Sequence, residues 1–215
     1  MISYQGEIIL VDSEADAETA VSILKTARVI GFDTETKPSF KRGQTNNVAL
    51  LQLSTDNSCF LFRLNHIGLS DNVKALLEDE SILKIGVSIH DDFHNLNKLY
   101  HLSPAGFIDL QHFVKDYGIA DNSLAKIFAI IFGYRISKGQ RLSNWEAEEL
   151  TPHQQAYAAL DAQACERIYH HLISGNFKAE QSQYFREIEQ PQKNTAKPTK
   201  EADTDIHKKE PESQL

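Results

Sequence analysis

The chain has 215 residues, 41% of them hydrophobic and 24% charged, which suits one domain with a buried core and excludes a fibrous or wholly disordered chain. Its formal net charge of −8 at pH 7 argues against a broad basic surface that grips long nucleic acid through many phosphates. That argument lapses if acidic residues gather in one pocket, where bound divalent cations reverse the local charge.

The first segment, MISYQGEIILVDSEADAE, has no positive start, and its apolar run at residues 8–11 is too short for a signal peptide or a membrane span. The expectation is a cytoplasmic protein with no membrane partner. EIILVD and VIGFDTET read as strands, separated by a helix, SEADAETAVSILKTA, with Ser13 as N-cap and Asp16 three residues on. VALLQLST and SCFLFRL are two further strands joined by a short polar turn at Asp56 and Asn57, a hairpin signal that predicts antiparallel neighbours.

A helix over residues 72–78, a strand ILKIGVSI, a helix over residues 91–100 and a short strand FIDL follow, with helices expected for most of the remaining body. This order predicts an α/β domain whose mixed central sheet combines a hairpin with strands linked through helices. Composition changes near Gln190, beyond which there is no aromatic residue and no periodicity. Residues 1–189 are therefore expected to form the domain and residues 190–215 a disordered polar tail. That tail carries five lysines and five acidic residues, so the whole negative charge belongs to the body. Cys59 and Cys165 have no CxxC partner and read as core residues.

Three segments carry chemistry. Asp33 and Glu35 lie two apart in a predicted strand and so share a face. An isolated D-x-E is more often a solvated edge, but Val29, Ile30 and Phe32 mark a buried strand, where paired carboxylates need a compensating cation. KIGVSIHDDF is an apolar strand running into His90, Asp91 and Asp92; acidic residues there occupy the usual active-site end of an α/β strand, or simply begin a helix. TPHQQAYAALDAQACERIYHHL opens with Thr151 as N-cap and Pro152 at the first helical position, and it stacks Tyr157 and Asp161 on one face. Ala158, Ala159 and Ala162 beside them let the helix approach a neighbour closely.

Together and in this order, GFDTET, KIGVSIHDDF and YAALD resemble the three motifs of the exonuclease superfamily named for its four acidic residues, in the subclass that carries a tyrosine. LSNWEAEELTPHQQAYAALDA is similar to the approach to the last motif in the branch of ribonuclease D and the Werner syndrome helicase exonuclease domain. The resemblance spans residues 29–173. It implies a ribonuclease H-like fold, with the mixed sheet flanked by α-helices.

It also implies a 3′-5′ exonuclease that hydrolyses phosphodiester bonds at the 3′ end of DNA or RNA and releases nucleoside 5′-monophosphates. Carried over by position, Asp33, Glu35 and Asp161 hold the tighter of two divalent cations, Mg2+ or Mn2+. Asp33 bridges to a second ion near Asp92, and Tyr157 positions the attacking water. Spacing from Lys84 and Gly86 favours Asp92 over Asp91, while Ser88 stands where a glycine is common.

The chemistry suits these residues. Two ions roughly 3.5 to 4 Å apart activate a water and stabilise a leaving oxygen, and hard cations take oxygen ligands. Two carboxylates about 4 Å apart repel by about 4 kcal/mol at an effective dielectric of 20, so stability alone gives no reason to gather four.

Lys138 and Arg141, in the basic segment RISKGQRLSNW, are candidates for contacting substrate phosphates or are ordinary loop residues, whereas Trp145 reads as a core anchor. Lys37, Lys41 and Arg42 after the first motif guide the strand or are merely solvated. His90 and His94 lack a third nitrogen ligand at zinc spacing, and His170 and His171 are expected to face solvent at a helix end. Two rival readings stand beside the exonuclease: a non-catalytic nucleic-acid-binding module of the same fold, whose mark is a lost ligand, and a ribonuclease H-type endonuclease, which needs no strand end.

Overall fold

The computed structural model describes residues 2–41 and 43–182. The expected tail and Arg42 lie outside the described residues. Six strands form one mixed sheet in the order β1-β4-β3-β2-β5-β6. In chain order, β1 is Glu7–Val11, α1 Glu14–Leu24, β2 Val29–Thr36, β3 Val48–Ser54, β4 Ser58–Phe62, α2 Leu64–Ile67, α3 Asp71–Glu78 and β5 Leu83–Gly86. They are followed by α4 Ile89–Tyr100, β6 Phe107–Asp109, α5 Leu110–Phe113, α6 Leu124–Phe132 and α7 Pro152–Ile173. The hairpin of β3 and β4 is antiparallel, as expected, and β2 is antiparallel to β3. β1 joins β4 in parallel, and β5 joins β2 and β6 in parallel, through helical crossovers.

The alternation of strand side chains divides the core in two. On one face Ile30, Phe32, Leu51, Leu53, Phe60 and Phe62 pack with residues of α1, α3 and α4. On the other, Leu50, Cys59 and Leu61 pack with α6 and α7. Both cysteines are buried and unpaired. α7 starts with a full capping box: the Thr151 hydroxyl accepts from the Gln154 amide N–H, and the Gln154 side chain accepts in return from the Thr151 N–H.

Gly31 decides how closely α7 lies on the sheet, because a Cβ there would overlap the Ala162 carbonyl oxygen. The glycine sits on the α7 face of β2, and Asp33 and Glu35, two and four residues on, continue along that same face. Close helix approach and carboxylate delivery thus come from one strand.

Three expectations need correction. β5 ends at Gly86, not at residue 89, because Ser88 adopts a left-handed conformation with φ of 62° and α4 begins at Ile89. The carboxylate of Asp109 accepts both N–H groups at that start, from Ser88 and Ile89 at 3.2 Å each. Residues 133–150 carry no helix, so the second half is less helical than its composition suggests. His170 is exposed, but His171 is half-buried, its ring packed against Phe132 and Phe177.

Candidate active site

β2, α4 and α7 bring the acidic residues together from three distant stretches of chain. One carboxylate oxygen each from Asp33, Glu35 and Asp161 lies within 4.8 Å of the others. Asp161 is 8% exposed although it belongs to a helix, because α7 turns it toward β2. Tyr157, one turn earlier on α7, lies close enough to the Asp161 carboxylate for its hydroxyl to act on it. Asp92 joins from the first turn of α4, where its Oδ1 accepts a hydrogen bond from the Thr34 hydroxyl. Asp91 is exposed instead, its Oδ2 accepting from the Ser88 hydroxyl at 3.2 Å.

The electrostatics are those of crowded anions. Burial, then the facing Asp161, pushes the Asp33 carboxyl up to about 8, against a backbone hydrogen bond from Thr34 that lowers it. Burial followed by Asp33, Asp161 and Asp92 pushes Glu35 up to about 10. Asp92 is raised to about 8 by burial and by Asp33. Burial raises Asp161 to about 7, against the nearby Tyr157 hydroxyl and the positive charge of Lys138, which lower it. Burial and Asp161 raise the Tyr157 phenol, which therefore keeps its proton.

Such a cluster fits a hard divalent cation. Its donors are all oxygens, its charge is uncompensated except by Lys138, and Gln52, the cross-strand neighbour of Asp33, is fully buried with neither amide atom hydrogen-bonded. Asp33, Glu35 and Asp161 form the group that could hold an ion, with Asp92 near enough to Asp33 for the two charges to repel.

Of the two basic candidates, Lys138 is exposed, near enough for its charge to act on Asp161, and 3.5 Å from the Ser123 hydroxyl. Arg141 is exposed and makes no ion pair among the described residues. Trp145 is completely buried, as a core anchor should be, and its ring lies 6.1 Å from that of Tyr157. Lys37 pairs with Glu146 at 3.0 Å, tying the loop after β2 to the segment before α7. Thr34 and Gln52 were missed from the sequence. Thr34 alternates in face with its carboxylate neighbours, and only the fold reveals that its hydroxyl reaches Asp92.

A mixed sheet covered by helices, with acidic residues from β2, α4 and α7 converging beside it, defines a ribonuclease H-like nuclease architecture. The family model for the 3′-5′ exonuclease matches residues 8–174, and the chain belongs to that family. It is 38% identical over 152 residues to exonuclease 3′-5′ domain-containing protein 2 of Drosophila melanogaster, covering 69% of this chain and 26% of that protein. It is 34% identical over 181 residues to the bifunctional 3′-5′ exonuclease/ATP-dependent helicase WRN of Mus musculus, covering 80% of this chain and 13% of that protein. The chain thus spans under a third of the length of these curated relatives. The crystal structure of the Aedes aegypti Nibbler EXO domain shares the fold, with a TM-score of 0.72 at 24% identity over 84% of this chain and 96% of that one.

Proposed function

We propose that the chain is a metal-dependent 3′-5′ exonuclease, removing nucleoside 5′-monophosphates from the 3′ end of DNA or RNA with two divalent cations, Mg2+ or Mn2+. The observation that carries this reading is the convergence of Asp33, Glu35 and Asp161 within 4.8 Å in a largely buried setting, with Asp92 alongside. Membership of the exonuclease family supports it independently.

In this reading Asp33, Glu35 and Asp161 hold one cation, while Asp33 and Asp92 share the other. When bound, such ions supply an activated water and neutralise charge on the phosphate and on the leaving 3′-oxygen. Tyr157, protonated and beside Asp161, orients the attacking water through its hydroxyl. Lys138, whose charge acts on Asp161, would meet a phosphate approaching that carboxylate, and Arg141 on the same loop would be a more peripheral phosphate contact. The acidic body is reconciled with an anionic substrate because cations cover the carboxylates at the point of contact. The proposed setting is cytoplasmic, with a single-stranded or frayed 3′ end as the partner; no helix among the described residues is long and apolar enough to cross a membrane.

The test uses 5′-labelled linear oligonucleotides of DNA and of RNA beside circular ones, with Mg2+ or Mn2+. The proposal predicts a ladder that shortens from the 3′ end and leaves circles intact. Cleavage of circles would favour an endonuclease, and binding without shortening would favour a non-catalytic module.

A further inference from the structure

A second gathering of metal-binding side chains lies at the other end of the central strands. Asp56, in the turn between β3 and β4, and Glu166 and His170, on α7, each bring one ligand atom within 4.8 Å of the others. The strand register separates this place from the acidic cluster. Glu35 faces Leu50 near the start of β3, whereas Gly31 faces Ser54 at its end, so the turn that follows Ser54 lies beside the start of β2. Arg28 and Val29, at that start, line the same cavity of about 360 Å3 as Asp56, Glu166 and His170.

Glu166 is the informative residue. It is 2% exposed, yet neither its Oε2 nor the fully buried Ser54 hydroxyl makes a hydrogen bond of good geometry, although Ser54 and Asp56 both lie close enough to act on the Glu166 carboxyl. Glu166 and His170 stand four apart on one helix face, with Oε1 to Nε2 at 3.8 Å, too far for a hydrogen bond and ample for two ligands of one ion. Asp56 adds a second negative charge facing Glu166. Arg28 lines the cavity but pairs with neither carboxylate among the described residues. A buried carboxylate oxygen without a well-formed hydrogen bond, facing a like-charged neighbour, is costly unless a proton or a cation completes the group.

We propose that Asp56, Glu166 and His170 form a second cation site, which takes a borderline divalent ion such as zinc. An imidazole nitrogen selects zinc over magnesium, and three protein ligands beside a cavity leave a fourth position for water. Two carboxylates and a neutral imidazole balance the divalent charge. The ion clamps the β3–β4 turn to α7. Glu166 follows Asp161 by five residues, about 7.5 Å along the helix, so the clamp also fixes the axial position of the helix that delivers Asp161 and Tyr157.

The test titrates zinc alone into the full 215-residue chain carrying Asp33→Asn and Asp161→Asn, which disable the other cluster. The proposal predicts one zinc per chain and a rise in melting temperature on binding. His170→Ala or Asp56→Asn, both at exposed positions and so compatible with folding, should each weaken zinc at least about 10-fold, a loss that even outer-shell partners of a metal cause. Absence of zinc binding, or an affinity unmoved by both substitutions, would overturn it. Stoichiometry and melting temperature are read without nucleic acid, so this outcome is independent of whether the chain is an exonuclease.

Discussion

Thr34 donates its hydroxyl to the carboxylate of Asp92, joining β2 to α4 across 58 residues of sequence. The residue sits between Asp33 and Glu35 but points to the opposite side, so one strand supplies two carboxylates to α7 and a positioning hydroxyl to α4. Thr34→Val keeps the shape and removes the donor. The concentration of Mg2+ that gives half-maximal activity should rise about 10-fold, as for loss of an outer-shell partner, with stability reduced by about 1 kcal/mol. Thr34→Ser should restore the metal dependence. A metal titration of activity in the three proteins checks it; an unchanged midpoint in the valine variant would remove Thr34 from the account.

Gly31→Ala tests the close approach of α7. The new Cβ would meet the Ala162 carbonyl and the Ser54 hydroxyl, and the first of these is helix backbone that cannot rotate away. The expected cost is about 3 kcal/mol, at the upper end for overpacking, together with a loss of activity larger than the unfolded fraction explains, since Asp161 moves with the helix. Urea denaturation beside the activity assay measures both.

Tyr157→Phe separates the ring from the hydroxyl. The ring should stay against Trp145, so the fold persists, while the hydroxyl beside Asp161 is lost. Turnover should fall by about 10²- to 10⁴-fold, the usual range for a group that handles a proton or orients a water, with little change in the affinity for an oligonucleotide measured in Ca2+. An equal fall in affinity would assign Tyr157 to substrate binding instead.

Without metal, the crowded carboxylates make stability fall as pH rises. Asp33 and Asp92 have ordinary values of 3.8 and are raised to about 8 in the folded chain. The unfolded chain therefore releases these protons near pH 4 while the folded one keeps them to about 8, so stability is greatest below pH 4 on this account and is lost as pH rises through 8. A divalent ion that holds the carboxylates ionised reverses the trend and releases protons as it binds. Melting temperatures from pH 5 to 8.5, in chelator and in Mg2+ or Mn2+, should diverge with increasing pH. Parallel curves would mean that the carboxylates are not the ligands.

Much of this was legible in the string. The hairpin of β3 and β4 follows from two apolar runs around Asp56 and Asn57, and the capping box from Thr151, Pro152 and Gln154, because these are short-range choices. Three motifs singled out Asp33, Glu35, Asp92, Tyr157 and Asp161, and the fold draws these residues, from one strand and two helices, toward one place. What escaped depends on packing between distant segments: the use of Gly31 as a bed for α7, the side of β2 to which Thr34 points, and the burial of His171 between Phe132 and Phe177. The early end of β5 escaped for another reason. A serine at φ 62° breaks the usual preference, and the Asp109 carboxylate that supports it is 21 residues away.

The most direct measurement compares the wild-type chain with Asp33→Asn on a 5′-labelled oligonucleotide in saturating Mg2+ or Mn2+. Asp33 faces Asp161, repels Glu35 and Asp92, and is the one carboxylate assigned to both cations, so its loss should slow removal of the 3′ nucleotide by about 1000-fold or more. The unfolding midpoint of the metal-free variant should be equal to or higher than that of the wild type, since one of the repelling groups is gone. A folded Asp33→Asn protein that shortens the strand at close to the wild-type rate would contradict the account.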